Sequence, residues 1–278
     1  MTSDRDLGLG KRSKKLLTVI PAISVCHFTY RITADAVTSH FASEPDAHLI
    51  VLDNAPLDTK TEWTYWTDKL KDLLRRLGYE YRHYAEPWNL SRFWNKGLDI
   101  AKGEKWRYVA ICNADVYFHP TWFTAAVKDW EEIHVEQEVI SVHPWSHVSK
   151  DATHNIRNVN YCYDDLVFRK RGLVPFDYPA CHVSIFEGKT DYRFDEKYVH
   201  YHVDVDFWQW MRQHERYGAL CYASRVDHLP MRGSCLWPTK PVDFSASHGL
   251  AVVDGDADLA YYQEKWGLKK ELGEADAV

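Results

Sequence analysis

Several common features are absent from this 278-residue chain, and each absence narrows what it can do. Its six cysteines (Cys26, Cys112, Cys162, Cys181, Cys221 and Cys235) include no C-x-x-C pair and no zinc-type spacing. A zinc module and a dithiol redox motif are therefore excluded by pattern. Several of these cysteines lie in apolar, strand-like runs, where a free thiol packs as a small hydrophobe, so a reducing, cytoplasmic setting is expected. No apolar run approaches the roughly 20 residues of a membrane span. The run from Leu16 to Pro21 follows basic residues, but it is short, Pro21 interrupts it, and no small-residue cleavage site follows. It reads as a buried first strand of a soluble protein, not as a secretory leader. A basic excess is missing too: 34 Lys and Arg face 40 Asp and Glu, for a net charge of -6. A dedicated polyanion binder carries the opposite sign. No internal repeat, low-complexity segment or linker divides the chain.

What is present suits a globular α/β protein. With 45% hydrophobic and 27% charged residues, the chain has ample material for a full core. Short apolar runs alternate with amphipathic helical segments, the pattern of a largely parallel sheet. Strands are predicted at 16–25, 48–52, 79–84 and 106–112, and later at 181–186 and 219–226. The clearest helix carries Trp63, Trp66, Leu70, Leu73, Leu74 and Leu77 on one face and stops at Gly78. Others are predicted from about 91 to 102, stopping at Gly103, and from about Pro120, 204–217 and 258–272. Residues 1–14 read as a loose basic tail and 15–278 as a single domain. From His143 to Pro179 the composition turns polar and loses its periodicity. The 12 Trp and 17 Tyr suit a sugar-binding site, since aromatic faces pack on sugar rings, although most such residues serve in cores.

The chemistry centres on Asn113-Ala114-Asp115, directly after the strand ending at Cys112. In an extended segment, side chains at i and i+2 point the same way, so Asn113 and Asp115 are expected to project together. The carboxyl ends of strands are where open α/β sheets bind ligands. A carboxylate there is a hard oxygen ligand for Mg²⁺ or Mn²⁺ on a diphosphate. Taken alone the triplet is more often an ordinary turn. Asp254-Gly255-Asp256-Ala257-Asp258 imitates the start of a calcium loop, but Leu259 and Lys265 stand where Gly and Glu are required, so it reads as a loop and helix cap.

Upstream lies Asn89-Leu90-Ser91-Arg92-Phe93-Trp94-Asn95-Lys96-Gly97-Leu98-Asp99-Ile100-Ala101-Lys102-Gly103. Here the chain resembles the GT-A glycosyltransferases that include the inverting family-two enzymes. Those show an Asn-x-Gly-hydrophobic-x-x-Ala-x-Gly helix, then a strand ending in an Asp-x-Asp-type motif. Asn95, Gly97, Ala101, Gly103 and Asp115 match, with Asn113 in place of the first acid. Val51-Leu52-Asp53-Asn54 is similar to the family's Val-Asp-Asn segment. His202-Val203-Asp204-Val205-Asp206 resembles its Glu-Asp-x-Asp helix, with Val203 replacing Glu. Val226-Asp227-His228 resembles its strand-end histidine, and Tyr261 to Gly267 its closing Tyr-x-x-Lys-Trp-Gly helix. The motifs run in the expected order from about residue 16 to 267.

The resemblance implies a GT-A fold: a Rossmann-like, mainly parallel sheet flanked by helices, with a donor half at about 15–118 and a C-terminal acceptor half at about 119–278. It implies transfer of a sugar from a nucleotide-diphosphate sugar to a hydroxyl, with inversion and with Mn²⁺ or Mg²⁺ as cofactor. Asp204 is then the catalytic base, and Asp206 steadies the helix N-terminus. Asp115 and His228 hold the metal, with His248, His200 and His202 as rivals for the histidine. Asp53 reads the base, Asn113 sits near the ribose, and Asn95 belongs to the donor site. The implied acceptor is a glycan or a hydroxyl-bearing small molecule; a hydroxylated nucleic-acid base would use Arg169, Lys170 and Arg171. Two rivals remain open. A nucleotidyltransferase would carry a Gly-rich loop where this chain has Pro21-Ala22-Ile23-Ser24-Val25-Cys26. A catalytically inert binder on the same fold is suggested by Asn113 and Val203.

Overall fold

The computed structural model describes residues 15–24, 26–55, 61–85, 89–132, 139–148, 182–198, 202–228 and 255–268. Their strands are β1 (Leu16–Ala22), β2 (His48–Asp53), β3 (Glu80–His83), β4 (Tyr108–Cys112), β5 (Val116–Phe118), β6 (Val139–Val148), β7 (Val183–Glu187) and β8 (Tyr217–His228). The helices are α1 (His27–Ser43), α2 (Thr61–Leu77), α3 (Leu90–Glu104), α4 (Trp122–Glu132), α5 (Val203–Gln213) and α6 (Gly255–Lys265). One sheet takes all eight strands in the order β3-β2-β1-β4-β7-β6-β8-β5. Strands β1 to β4 run parallel, as does the β6–β8 pair, while β7 is antiparallel to both its neighbours and β5 to β8. This is the mainly parallel, helix-flanked sheet expected of the chain.

The apolar strands explain the layering. Alternate residues of a strand face opposite sides, and both sides here are buried. Leu16 and Ile20 of β1, Leu49 and Val51 of β2, and Ala110 of β4 enter one core with α1, α2 and α4. Leu17 and Val19, Ile50 and Leu52, and Val109 and Ile111 enter a second core with α3 and α5. Helix α2 turns Trp63, Thr67, Leu70 and Leu74 inward at helical spacing, and Gly78 ends it with φ 68°. In α3, a Cβ at Gly97 would lie 2.9 Å from side-chain atoms of both Val19 and Ile111. The Asn-x-Gly stretch therefore lets this helix sit directly on β1 and β4.

The sheet bends sharply at one corner. From β4 to β5 the ladder takes four steps, about 19 Å at the usual strand spacing. Cys112 and Val116 are joined by only three residues, a reach of at most about 14 Å. The far strands must therefore curl back, and β8 does so where its register with β6 jumps from Pro144↔Cys221 to Trp145↔Arg225. Beyond the jump, Val226, Asp227 and His228 pair with β5. The curl brings the end of β8 to the turn that leaves β4.

Several predicted boundaries move. Helix α3 runs through Gly103 and ends at Lys105, which takes the left-handed conformation at φ 63° and caps the helix through its N–H. Helix α5 ends at Gln213, because Tyr217 already opens β8. Helix α6 starts three residues before its expected position, at Gly255. The polar stretch predicted from His143 begins inside β6, where His143 is buried between Ser141 and Ser184. The remainder of that stretch, 149–179, lies outside the described residues.

Candidate active site

The bent corner gathers residues from three strands. Strand β4 stops at Cys112, and Ala114 and Asp115 form a turn, so the extended-strand geometry expected for Asn113 and Asp115 does not hold. The turn aims Asp115 at β8 instead. Asp115 Oδ1 lies 3.2 Å from His228 Nε2, with the two side chains 27% and 14% exposed. Asn113 donates its backbone N–H to the carbonyl of His182 (2.9 Å), while its side-chain Oδ1 is buried with no hydrogen-bond partner among the described residues. The His182 ring stacks on His228, centroids 3.4 Å apart and planes within 8°. Burial, and then the neighbouring His228, hold the His182 imidazole well below its ordinary pKa.

Asp115 and His228 are the donors this corner offers to a divalent ion. Among the described residues, no group of three or more His, Cys, Asp or Glu side chains is arranged around one point. The Asp115 carboxylate nonetheless suits Mg²⁺, which is bound through one or two carboxylates and completes its shell with phosphate oxygens and water, while the His228 imidazole suits a transition-metal ion better. The imidazole and carboxylate already face each other. His202 is the residue before α5 and stacks on Tyr262; His200 and His248 lie outside the described residues.

Other expected site residues are more deeply built in. Asp53 has no exposed surface; its carboxylate accepts from Ser24 N–H (3.3 Å), Ala55 N–H (2.9 Å) and Tyr81 OH (3.2 Å). Burial pushes its carboxyl above the ordinary carboxylate range, against the pull of these donors. It ties the loop after β1 to the loop after β2. The Asn95 amide is engaged by the chain itself: Oδ1 accepts from Phe194 N–H (2.8 Å), and Nδ2 donates to Phe194 O (2.9 Å) and Glu196 Oε1 (3.0 Å). Asp204 stands partly exposed in the first turn of α5 and accepts the Val205 N–H at 2.9 Å. Val203, beside it, is buried in the second core.

The profile of the family described as Glycosyl transferase family 2 matches residues 25–190, more than half of the chain. The chain belongs to glycosyltransferase family 2. No curated protein matches it. Solved structures share its fold at low identity. Residues 1–349 of TarS from S. aureus align with a TM-score of 0.54 at 11% identity, over 77% of this chain and 60% of that one. A mannosyltransferase from Pyrobaculum calidifontis, solved with GDP-Man and Mn²⁺, gives 0.54 at 13%, over 80% and 59%. Glucosyl-3-phosphoglycerate synthase from Mycobacterium tuberculosis, solved with Mg²⁺ and UDP, gives 0.52 at 12%, over 93% and 82%. This family-2 chain thus spans about three fifths of the TarS fragment and of the mannosyltransferase.

Two features of this family-2 chain escaped the sequence reading. One is His182, which no motif marks. The other is the role of Asp206: it is buried and accepts from Tyr198 OH (2.9 Å), Lys265 Nζ (2.8 Å) and Trp266 Nε1 (2.8 Å). Lys265 also reaches Asp195 (2.8 Å), which takes the Tyr261 hydroxyl at 2.7 Å. The Tyr-x-x-Lys-Trp segment therefore clamps α6 onto α5. The spacing Tyr261, Lys265 at i, i+4 was the available signal.

Proposed function

We propose that this chain transfers a glycosyl group, with inversion, from a nucleoside-diphosphate sugar to an acceptor hydroxyl, supported by Mn²⁺ or Mg²⁺ in a cytoplasmic setting. The observation that carries the reading is the approach of Asp115 to His228 at the carboxyl edge of β4, in a family-2 chain. Structurally similar proteins crystallised with UDP and Mg²⁺ or with GDP-Man and Mn²⁺ support the same donor chemistry.

Asp115 and His228 would hold the ion, which when bound offsets the charge that develops on the departing diphosphate. Asp204 takes the proton of the acceptor hydroxyl as that oxygen bonds to the anomeric carbon and the carbon's bond to the diphosphate breaks. Attack opposite the leaving group inverts the centre. The positive end of the helix dipole favours a carboxylate at this first-turn position. Asn113 Oδ1 accepts a hydrogen bond from the donor's ribose. Asp53 serves the nucleoside side by fixing the Ser24 and Ala55 loops, and Asn95 by fixing the Phe194–Glu196 segment. The acceptor is a glycan or a small hydroxyl compound. The burial of Val203 counts against the inert-binder alternative: an acid there would face the core, so its replacement takes no charge from the cleft.

A thermal-shift screen of UDP-, GDP- and other nucleoside-diphosphate sugars with Mn²⁺ tests the reading, because a ligand of the native state raises the melting temperature. Stabilisation by at least one donor, with Mn²⁺-dependent donor hydrolysis, is expected. Failure of every donor to shift the melting point overturns the proposal.

A further inference from the structure

We propose that His182 is a positioning residue of the donor site: its ring fixes the plane of His228 against Asp115 and so sets how tightly that pair holds a divalent ion. The inference rests on the assignment of Asp115 and His228 as the metal-holding pair.

The backbone anchors His182 to the strand end that carries the site. Strand β7 pairs with β4 through Val183↔Cys112, and the His182 carbonyl takes the Asn113 N–H at 2.9 Å. Its ring reaches across to β8 and lies flat on His228. One residue thus joins the end of β4 to the end of β8, the two segments whose approach forms the pair. A histidine at a strand end has a free χ2 choice, and its two ring nitrogens are not equivalent. A wall 3.4 Å from one face removes most of that choice and leaves the ring edge, with Nε2, directed at Asp115. Stacked rings present parallel edges that do not converge, in keeping with the lack of any three-residue ligand group among the described residues. His182 therefore supports a ligand and is not one. Hydrogen-bond partners that orient a metal-bound histidine are commonly worth ten- to a hundredfold in metal affinity, and a stacked ring restricting the same rotation acts at the lower end of that scale.

The test is calorimetric titration of Mn²⁺ into the protein with saturating UDP and, separately, GDP, beside thermal unfolding of each variant without metal. His182→Ala is expected to weaken Mn²⁺ binding about tenfold, and His182→Phe, which keeps a flat wall but no nitrogen, to recover most of the loss. Asp115→Ala is expected to abolish binding. If both His182 variants bind Mn²⁺ as the unaltered chain does while Asp115→Ala does not, the positioning role is overturned and the metal pair stands. If Asp115→Ala also binds unchanged, the metal pair itself falls. If His182→Phe is folded and loses as much affinity as His182→Ala, a His182 nitrogen is required and the stacking role is overturned. Should His182→Ala fail to fold, the Phe variant alone decides: near-normal affinity supports the role, and a tenfold loss in a folded protein overturns it.

Discussion

Asp204 and Asp206 sit two residues apart on one helical turn yet meet different surroundings. Asp206 is enclosed by Tyr198, Lys265 and Trp266, while Asp204 stays partly open to solvent and accepts the Val205 N–H. Successive helix positions two apart diverge by about 200°, so only one carboxylate can face a given cleft. Asp204→Asn keeps the bond to Val205 N–H and is expected to leave stability and donor binding unchanged while cutting transfer about a hundredfold or more. Steady-state rates beside calorimetric donor affinity check this; near-normal transfer by the variant removes Asp204 from the base role. Asp206→Asn should instead lower the melting temperature, since it removes the buried carboxylate of the pair with Lys265 and leaves that lysine with Asp195. At the corner, Asp115→Ala should abolish metal-supported binding of UDP or GDP without unfolding the protein, which calorimetry and circular dichroism together can verify.

Elements show where packing overrides pattern. The two glycines of α3 looked alike as members of one motif, but they occupy different environments. At Gly97 an added Cβ would press on Val19 and Ile111 at 2.9 Å, whereas at Gly103 it would meet nothing within 4 Å. Replacing a helical Gly by Ala gains about 1 kcal/mol in propensity, and overpacking a filled core costs about 1–3 kcal/mol. Gly97→Ala should therefore destabilise the protein and Gly103→Ala should stabilise it, by about 1 kcal/mol or less; chemical denaturation of the two variants tests the pair. Strands β1, β2 and β4 were legible because their apolar runs are buried on both faces, whereas β3, Glu80-Tyr81-Arg82-His83, is only partly buried throughout. Strand β5 has three residues, and β6 carries Ser141, His143 and Pro144, so neither presents an apolar period. His228 could be picked out because it ends a strand. His182 could not, because its importance comes from a pairing between β4 and β7 that no local pattern encodes. Asp53 and Asn95 were recognisable as motif residues, but only contacts reveal that their polar atoms face inward.

Across the whole molecule, buried histidines couple the fold to pH. His143, enclosed by Ser141, Ser184 and Trp208, is pushed down to about 4 by burial. The unfolded chain takes up a proton near pH 6.5 and the folded one only near 4, so this contribution is complete above about pH 6.5 and is lost as pH falls to about 4. His143→Gln, which does not titrate, should flatten the decline of melting temperature across that window. An unchanged pH profile would show that other groups dominate. The bent corner has a further consequence, for synthesis on the ribosome. Among the described residues β5 pairs with β8 alone, and about 110 residues separate Phe118 from His228. At ordinary elongation rates of ~5–20 residues per second, Asp115 waits roughly 5 to 20 seconds for its partner to be made. For that interval Val116, Tyr117 and Phe118 lack the strand they pair with. On the proposed function, a growing chain of this topology should neither load metal nor hydrolyse donor until β8 has emerged and closed the corner.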